Sequence, residues 1–149
     1  MKTASSAAKE SSYILLVDDN SHGLIARKAV LEEIGYKVST AKSGEEALQL
    51  YAERKFDVVV TDFKMPKMNG IELIQEIRKS DSQARIILLS GFVELLGLNE
   101  KSTGADVVIS KSSGEVGNLV RAVSRLLIRR VEKKPPSSQK APARKKTVG

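Results

Sequence analysis

The chain has 149 residues, of which 41% are hydrophobic, and its formal net charge is +7. This length allows one domain with a buried core, and the absence of cysteine excludes disulfides, thiolate metal sites and cysteine nucleophiles. No apolar run is long enough to cross a membrane, and the first dozen residues lack the apolar stretch of a signal peptide. We therefore expect a cytoplasmic protein without membrane insertion.

Five short runs rich in β-branched residues alternate with five helix-like segments. The strands are predicted at 13–17, 36–40, 57–61, 85–90 and 105–110, and the helices near 21–34, 44–54, 70–79, 93–102 and 114–131. Strands that are apolar throughout, separated by helix-length segments, favour a parallel sheet covered on both faces. Five such units with right-handed crossovers predict an α/β fold, a doubly wound three-layer sandwich with a five-stranded sheet.

The fourth and fifth predicted helices differ in how clearly the sequence marks them. Gly97 interrupts the fourth helix, at a cost of about 1 kcal/mol relative to alanine, which predicts a marginal helix that is easy to reposition. In the fifth helix, apolar residues recur every three or four positions. Its other face carries Arg121, Arg125 and Arg129, one turn apart, which form either a solvated stripe or a face for a partner.

The positive charge is concentrated near the C-terminal end. Residues 132–149 contain six Lys or Arg against one Glu, together with prolines and few apolar residues, whereas residues 13–131 are close to neutral. We predict a disordered N-terminal segment at 1–12, one domain at 13–131, and a basic, Pro- and Lys-rich disordered tail at 132–149. The tail either attracts nucleic acid or an acidic partner non-specifically or is only solubilising.

Polar side chains end four of the five predicted strands. The first strand runs into Asp18 and Asp19, the third into Asp62, the fourth into Ser90 and the fifth into Lys111. In a doubly wound sheet, ligands bind outside the carboxyl ends of the strands. We therefore expect these five side chains to share one rim.

The chemistry of this rim favours phosphoryl transfer. Three neighbouring carboxylates repel each other unless a cation lies among them. Oxygen ligands without histidine or cysteine favour a hard cation, in particular Mg²⁺. Mg²⁺ neutralises charge on a transferred phosphoryl group, and Lys111 supplies a second positive charge. The Ser90 hydroxyl can donate to a phosphoryl oxygen, and an aspartate can form an acyl phosphate. The rim is thus predicted to be a carboxylate that accepts a phosphoryl group.

Five motifs occur in the order and at the strand ends that one known family shows: DD at 18–19, DFKMPKMNG at 62–70, SG at 90–91, GAD at 104–106 and Lys111. Over residues 13–131 the chain resembles the receiver domain of two-component response regulators. The resemblance implies a flavodoxin-like fold with strand order 2-1-3-4-5. It also implies that Asp62 takes a phosphoryl group from a sensor histidine kinase or a phosphotransfer protein. The chain would then be a phosphoacceptor that assists its own phosphorylation and dephosphorylation, not an enzyme.

The same resemblance implies roles for individual residues. Asp19, Asp62 and the backbone carbonyl of Lys64 would bind Mg²⁺ directly, and Asp18 through water. Lys111 would pair with the phosphoryl group or with Asp62. The signal would pass to an unidentified downstream protein through changed contacts on the face of the fourth helix, fifth strand and fifth helix, which we call the signalling face.

Two positions near the end of the fifth strand depart from the family pattern. Most receivers have proline after the lysine, but here Ser112 follows Lys111, which leaves open whether this bond is cis or trans and how far the lysine reaches. Val108 replaces the rotating aromatic residue of the family. Because valine cannot swing as a ring does, we expect altered or weaker coupling of the switch hydroxyl of Ser90 to the signalling face.

Lys64 and Phe92 occupy two positions that border access to the phosphoryl group in this family. A long cation and an aromatic ring there would screen the site from water or steer the donor. We therefore predict a longer-lived phosphoryl group than small polar residues would allow.

Three other functions compete with the phosphorylated receiver. A phosphatase of the haloacid dehalogenase type is disfavoured because Phe63-Lys64, rather than a second aspartate two residues on, follows Asp62. A receiver that acts as a scaffold without phosphorylation is compatible with Val108 and Ser112. A nucleic-acid-associated protein would act through the basic tail. Because the tail is too short for an output domain, we expect a stand-alone receiver.

Overall fold

The computed structural model describes residues 12–132, and side chains only as far as residue 128. The segments predicted to be disordered lie outside the described residues except for Ser12 and Glu132, so those predictions are untested. Ser12 is buried and Glu132 belongs to the last helix. No helix within residues 12–132 combines the length and the hydropathy that a bilayer crossing requires.

Five strands and six helices make up the described part of the chain. The strands are β1 (Tyr13–Val17), β2 (Lys37–Ala41), β3 (Val58–Asp62), β4 (Ile86–Ser90) and β5 (Val107–Ser110). The helices are α1 (Ser21–Ile34), α2 (Gly44–Glu53), α3 (Gly70–Ser80), α4 (Val93–Leu96), α5 (Glu100–Thr103) and α6 (Glu115–Glu132). All strands pair in parallel in the order β2-β1-β3-β4-β5. The predicted doubly wound α/β fold and its strand order are confirmed.

The sheet separates two hydrophobic cores, which explains why its central strands β3 and β4 are buried along their whole length. Successive side chains of a strand point to opposite faces. In β3, Val58 and Val60 pack into the core shared with α1 and α6, whereas Val59 packs into the core shared with α2 and α3. Every residue of β3 is therefore buried, down to Asp62 at its end.

The prediction of one helix over 93–102 is wrong. The structure has two four-residue helices, α4 and α5. Gly97 adopts the left-handed conformation with φ of 64° and ends α4, a conformation that glycine takes without a steric penalty. Asn99 then starts α5 with a capping box that includes Ser102. The glycine is a helix stop, not a weak interior position.

Candidate metal centre

The five polar residues predicted at the strand ends line one cavity of about 520 Å³ at the carboxyl edge of the sheet. Strand register explains part of this convergence: Val17 of β1 pairs with Thr61 of β3, so Asp18 and Asp62 follow side by side. Ser90 ends the neighbouring strand β4, and Lys111 follows β5 directly. The strand-end pattern therefore brings these side chains together as predicted.

The three aspartates of this cavity form a compact set of oxygen ligands. One carboxylate oxygen each from Asp18, Asp19 and Asp62 lies within 4.8 Å of the other two. Asp18 and Asp62 are buried, whereas Asp19 is exposed and leaves the site open to water. Oxygen ligands beside open coordination positions are what Mg²⁺ requires, because it keeps several of its waters when bound by proteins.

Burial of Asp62 disfavours its ionised form, which a nearby cation would stabilise. Desolvation by burial raises the pKa of Asp62, the hydrogen bond from Lys111 opposes this rise, and the charge of Asp18 adds to it. The net result is a pKa above the ordinary value. A divalent cation among the three carboxylates would favour their ionised forms, so the donor set and its electrostatics both fit Mg²⁺.

Lys111 reaches Asp62 without a cis peptide. Its ammonium forms an ion pair with Oδ1 of Asp62, and every peptide bond among the described residues is trans, including the bond to Ser112. The Lys111 backbone N–H donates to the carbonyl of Ser90 over 2.9 Å. This bond extends the β4–β5 ladder by one residue and fixes where the lysine side chain begins.

The loop after β3 fixes Asp62 through its backbone. The buried Thr61 hydroxyl donates to the Asp62 carbonyl over 2.9 Å, and the Gly70 N–H donates to the carbonyl of Phe63 over 2.7 Å. A Cβ on Gly70 would lie only 2.4 Å from the Asp62 carbonyl oxygen, so this close approach requires glycine. Asn69 caps the following helix α3 with a capping box.

Lys64 and Phe92 contact each other at the rim of the cavity. The Lys64 ammonium lies 5.4 Å from the centre of the Phe92 ring, within cation–π range. Phe63 meets the same ring edge to face at 6.4 Å. The two residues predicted together to border the site thus contact each other and form one small cluster on its edge.

Ser90 is almost fully buried and connects the site to this cluster. Its hydroxyl oxygen accepts a hydrogen bond from the backbone N–H of Phe92 over 2.8 Å. On the neighbouring strand β5, Val108 is partly buried against the core shared with α2 and α3. Its backbone N–H donates to the Glu100 carboxylate of α5 over 3.1 Å.

Comparison with known proteins identifies the family. The family model for the response regulator receiver domain matches residues 14–124 of this chain. The chain belongs to the receiver domain family of response regulators. Asp18, Asp19, Asp62, Ser90 and Lys111 all lie within the matched part.

Solved receivers have the same fold as this one. The response regulator TrrA from Thermotoga maritima, crystallised with Mg²⁺-BeF, is 36% identical, covers 77% of this chain and 98% of its own, and has a TM-score of 0.70. TrrA in complex with the histidine kinase ThkA also has a TM-score of 0.70, at 36% identity, covering 78% of this chain and 98% of its own.

A curated relative is considerably longer than this receiver. The probable transcriptional regulator ycf27 of Cyanidium caldarium is 35% identical over 72% of this chain, but the match covers 41% of ycf27. The matched part of this chain thus spans less than half the length of that relative.

Sequence reasoning missed one residue of this receiver's site, Arg27 of α1. Its side chain is buried and donates to Oδ2 of Asp18 over 2.8 Å and to Glu115 of α6 over 2.7 Å. Burial alone would lower the pKa of Arg27, but the two carboxylates raise it above its ordinary value. The available signal was an arginine among the buried positions of α1, between Leu24 and Leu31.

The predicted arginine stripe lies away from the metal centre. Arg121 and Arg125 are exposed on α6, where they border a groove of about 450 Å³ together with Ile34 and Tyr36. Arg121 donates to Asn118 over 2.7 Å. The side chain of Arg129 lies outside the described residues.

Proposed function

We propose that this receiver is a phosphorylatable signalling module in which Asp62 accepts a phosphoryl group from a sensor histidine kinase or a phosphotransfer protein. The observation that carries the proposal is the environment of Asp62. This buried carboxylate shares an oxygen cluster with Asp18 and Asp19 and is paired with the ammonium of Lys111. The related TrrA has been crystallised both with Mg²⁺-BeF and in complex with the histidine kinase ThkA.

The proposed transfer uses the side chains of this chain as follows. A carboxylate oxygen of Asp62 attacks the phosphorus of a phosphohistidine, the new O–P bond forms, and the P–N bond to the leaving imidazole breaks. Asp18, Asp19, Asp62 and the carbonyl of Lys64 would hold Mg²⁺, which when bound supplies positive charge for the phosphoryl oxygens. Lys111 would stay beside the acceptor and neutralise part of the added charge. The chain is then a phosphoacceptor, not an enzyme acting on other substrates.

The Ser90 hydroxyl is the proposed switch. In the present state it accepts a hydrogen bond from the Phe92 N–H, and turning it towards a phosphoryl oxygen would break that bond. Phe92 directly precedes α4, so the change would reach the signalling face. In the structure this face consists of α4 and α5, which replace the predicted fourth helix, together with β5 and α6. Val108 on β5 offers a small, branched side chain there in place of a ring, which would weaken the coupling.

The signalling face is proposed to act by protein–protein contact. Leu95 is 81% exposed and Leu96 is 53% exposed on the four-residue helix α4. A helix this short, ended by Gly97, has few contacts that would resist repositioning. Hydrogen exchange at residues 93–103 should therefore be faster than in α6. Equal protection of the two segments would argue against a mobile α4–α5 segment.

The Lys64–Phe92 pair is proposed to lengthen the life of the phosphoryl group by screening it from water. Lys64→Asn and Phe92→Ala should each shorten the dephosphorylation half-life. Unchanged half-lives in both variants would refute this role.

A scaffold function without phosphorylation is the second candidate, and Val108 and Ser112 are compatible with it. Its output would not depend on Asp62. The proposed role of the basic tail in contacting nucleic acid or an acidic partner falls outside the described residues and stays a separate prediction. Deletion of residues 132–149 should abolish salt-dependent DNA binding, and binding that survives the deletion would refute this role of the tail.

Intact-mass measurement tests the phosphoacceptor directly. The full chain is incubated with Mg²⁺ and a small phosphodonor, alongside Asp62→Asn and the control Asp57→Asn. The wild type and Asp57→Asn should each gain the mass of one phosphoryl group, and Asp62→Asn should gain none. A wild type that gains no mass would overturn the proposal in favour of the scaffold.

A further inference from the structure

Arg27 links the metal centre to the last helix. Its guanidinium lies between two carboxylates, donating through one terminal nitrogen to Asp18 and through Nε to Glu115. The side chains of Arg27, Asp18 and Glu115, which we call the triad, are 10%, 3% and 14% exposed, so they are largely shielded from solvent. One carboxylate belongs to the loop after β1 and the other to the first turn of α6.

The local structure keeps space for this triad. A Cβ on Gly23 would lie 3.0 Å from both the Arg27 guanidinium and the Asp18 carboxylate. Glycine inside a helix reduces stability because of its greater backbone freedom in the unfolded chain, yet α1 has one at this position. Gly23 therefore makes room for the buried ion pair.

Both carboxylate oxygens of Asp18, a proposed Mg²⁺ ligand, accept hydrogen bonds. Oδ1 of Asp18 accepts the Asn20 N–H over 3.0 Å, and Oδ2 accepts Arg27 over 2.8 Å. The fixed positive charge of Arg27 beside Asp18 would repel Mg²⁺. Arg27 also occupies an oxygen of Asp18, a carboxylate that Mg²⁺ would use.

The other end of the triad, Glu115, follows Lys111 closely in the chain. Glu115 is four residues after Lys111, and its backbone N–H donates to the Ser112 carbonyl over 3.0 Å. The first turn of α6 is thus connected to Asp18 of the metal centre through the side chain of Arg27. A change in the interaction of Arg27 with Asp18 would change its interaction with Glu115.

We propose that Arg27 is a positioning residue that holds Asp18, weakens Mg²⁺ binding, and couples occupancy of the metal centre to the start of α6 through Glu115. This inference rests on the proposed function, because it assumes that the aspartate cluster binds Mg²⁺. It adds a route to α6 that is independent of the Ser90 hydroxyl.

The test is an Mg²⁺ titration of the ¹⁵N-labelled full chain, followed by NMR. Arg27→Met removes the charge but retains an unbranched side chain. Lys28→Met is the matched control, because the neighbouring lysine is 41% exposed and pairs with Glu32 away from the cavity. We expect the Mg²⁺ dissociation constant to fall about tenfold in Arg27→Met, within the usual range of coupling between sites, and to change less than twofold in Lys28→Met.

The amides at the start of α6 provide a second readout. In the wild type, Mg²⁺ should shift the amide signals of residues 115–119, and this response should disappear in Arg27→Met. If that variant does not fold, Arg27→Lys replaces it. One ammonium lacks the planar fork that contacts both carboxylates, so the α6 response should be lost while the dissociation constant stays within about threefold.

The outcomes separate the inference from the proposed function. An unchanged or weaker affinity in folded Arg27→Met, or an α6 response that survives in either variant, would overturn the role of Arg27 while leaving Asp62 as the phosphoacceptor. Absence of Mg²⁺ binding in the wild type and all variants would overturn both.

Discussion

Replacement of Gly70 by alanine should damage the site through the backbone of its phosphoacceptor. The added Cβ would lie 2.4 Å from the Asp62 carbonyl oxygen, 2.8 Å from Leu88 and 3.0 Å from the Phe63 Cα. Ordinary contacts of a Cβ are 3.4–4 Å, so the peptide after Asp62 must move by about 1 Å.

The expected loss of stability follows from this clash. Overpacking of a buried position costs about 1–3 kcal/mol, and a backbone neighbour that cannot rotate away puts Gly70→Ala at the upper end. The gain in helix propensity, at most about 1 kcal/mol, is smaller at this first position of α3. We expect a net loss of about 2 kcal/mol, or roughly 6–8 °C in melting temperature.

Gly117→Ala is the matched control. This glycine is exposed within α6, and its Cβ would approach only the flexible end of Arg121, at 3.5 Å. The same substitution should therefore stabilise the protein by about 0.5–1 kcal/mol. Thermal unfolding followed by circular dichroism gives both values, and phosphoryl uptake should slow only in Gly70→Ala. A Gly70→Ala variant as stable as Gly117→Ala would refute the argument that the loop requires glycine there.

Three further predictions concern the charged side chains of Asp62, Lys111 and Arg78. Burial raises the pKa of Asp62 in the folded protein, so the contribution of Asp62 to stability in Mg²⁺-free buffer should be lost as pH rises from near 3.8 through the folded value. In urea unfolding, the wild type should therefore lose stability relative to Asp62→Asn over this range, and parallel pH profiles of the two proteins would contradict the raised pKa. Lys111→Met should raise the Asp62 pKa further, measured by carboxyl ¹³C shifts, and slow phosphoryl uptake about a hundredfold; an unchanged rate would exclude a role in transfer. Arg78→Lys should be destabilised by about 1–3 kcal/mol in urea unfolding, because its planar fork joins Asp106 to three backbone carbonyls; wild-type stability would show that a single ammonium suffices.

The strand-end residues were predictable because sheet geometry alone determines their meeting place. A short β-branched run such as Val58–Val60 favours a strand buried on both faces, and a parallel sheet brings the ends of such strands to one edge. The location of the Asp62 carboxylate at this edge could therefore be predicted from the strand pattern, without knowledge of its contacts. The sequence left the pairing of Lys111 open, because its reach depends on a backbone bond after the strand.

The missed features depend on tertiary contacts or on local caps. Arg27 lies among buried positions of α1, but its importance depends on Glu115, which is 88 residues later. The break after Gly97 depends on a left-handed backbone and on capping by Asn99, and a glycine in a helical pattern does not by itself distinguish a weak position from a stop.

The central claim, that Asp62 carries the phosphoryl group, is tested most directly by locating the modified residue. An acyl phosphate is reduced by borohydride to an alcohol, so a phosphorylated aspartate becomes homoserine and an unmodified one does not. The full chain, phosphorylated with a small phosphodonor and Mg²⁺, is reduced, digested and sequenced by mass spectrometry. Homoserine at position 62, dependent on Mg²⁺, is the predicted result; homoserine at Asp18 or Asp19, or at no aspartate, would contradict it.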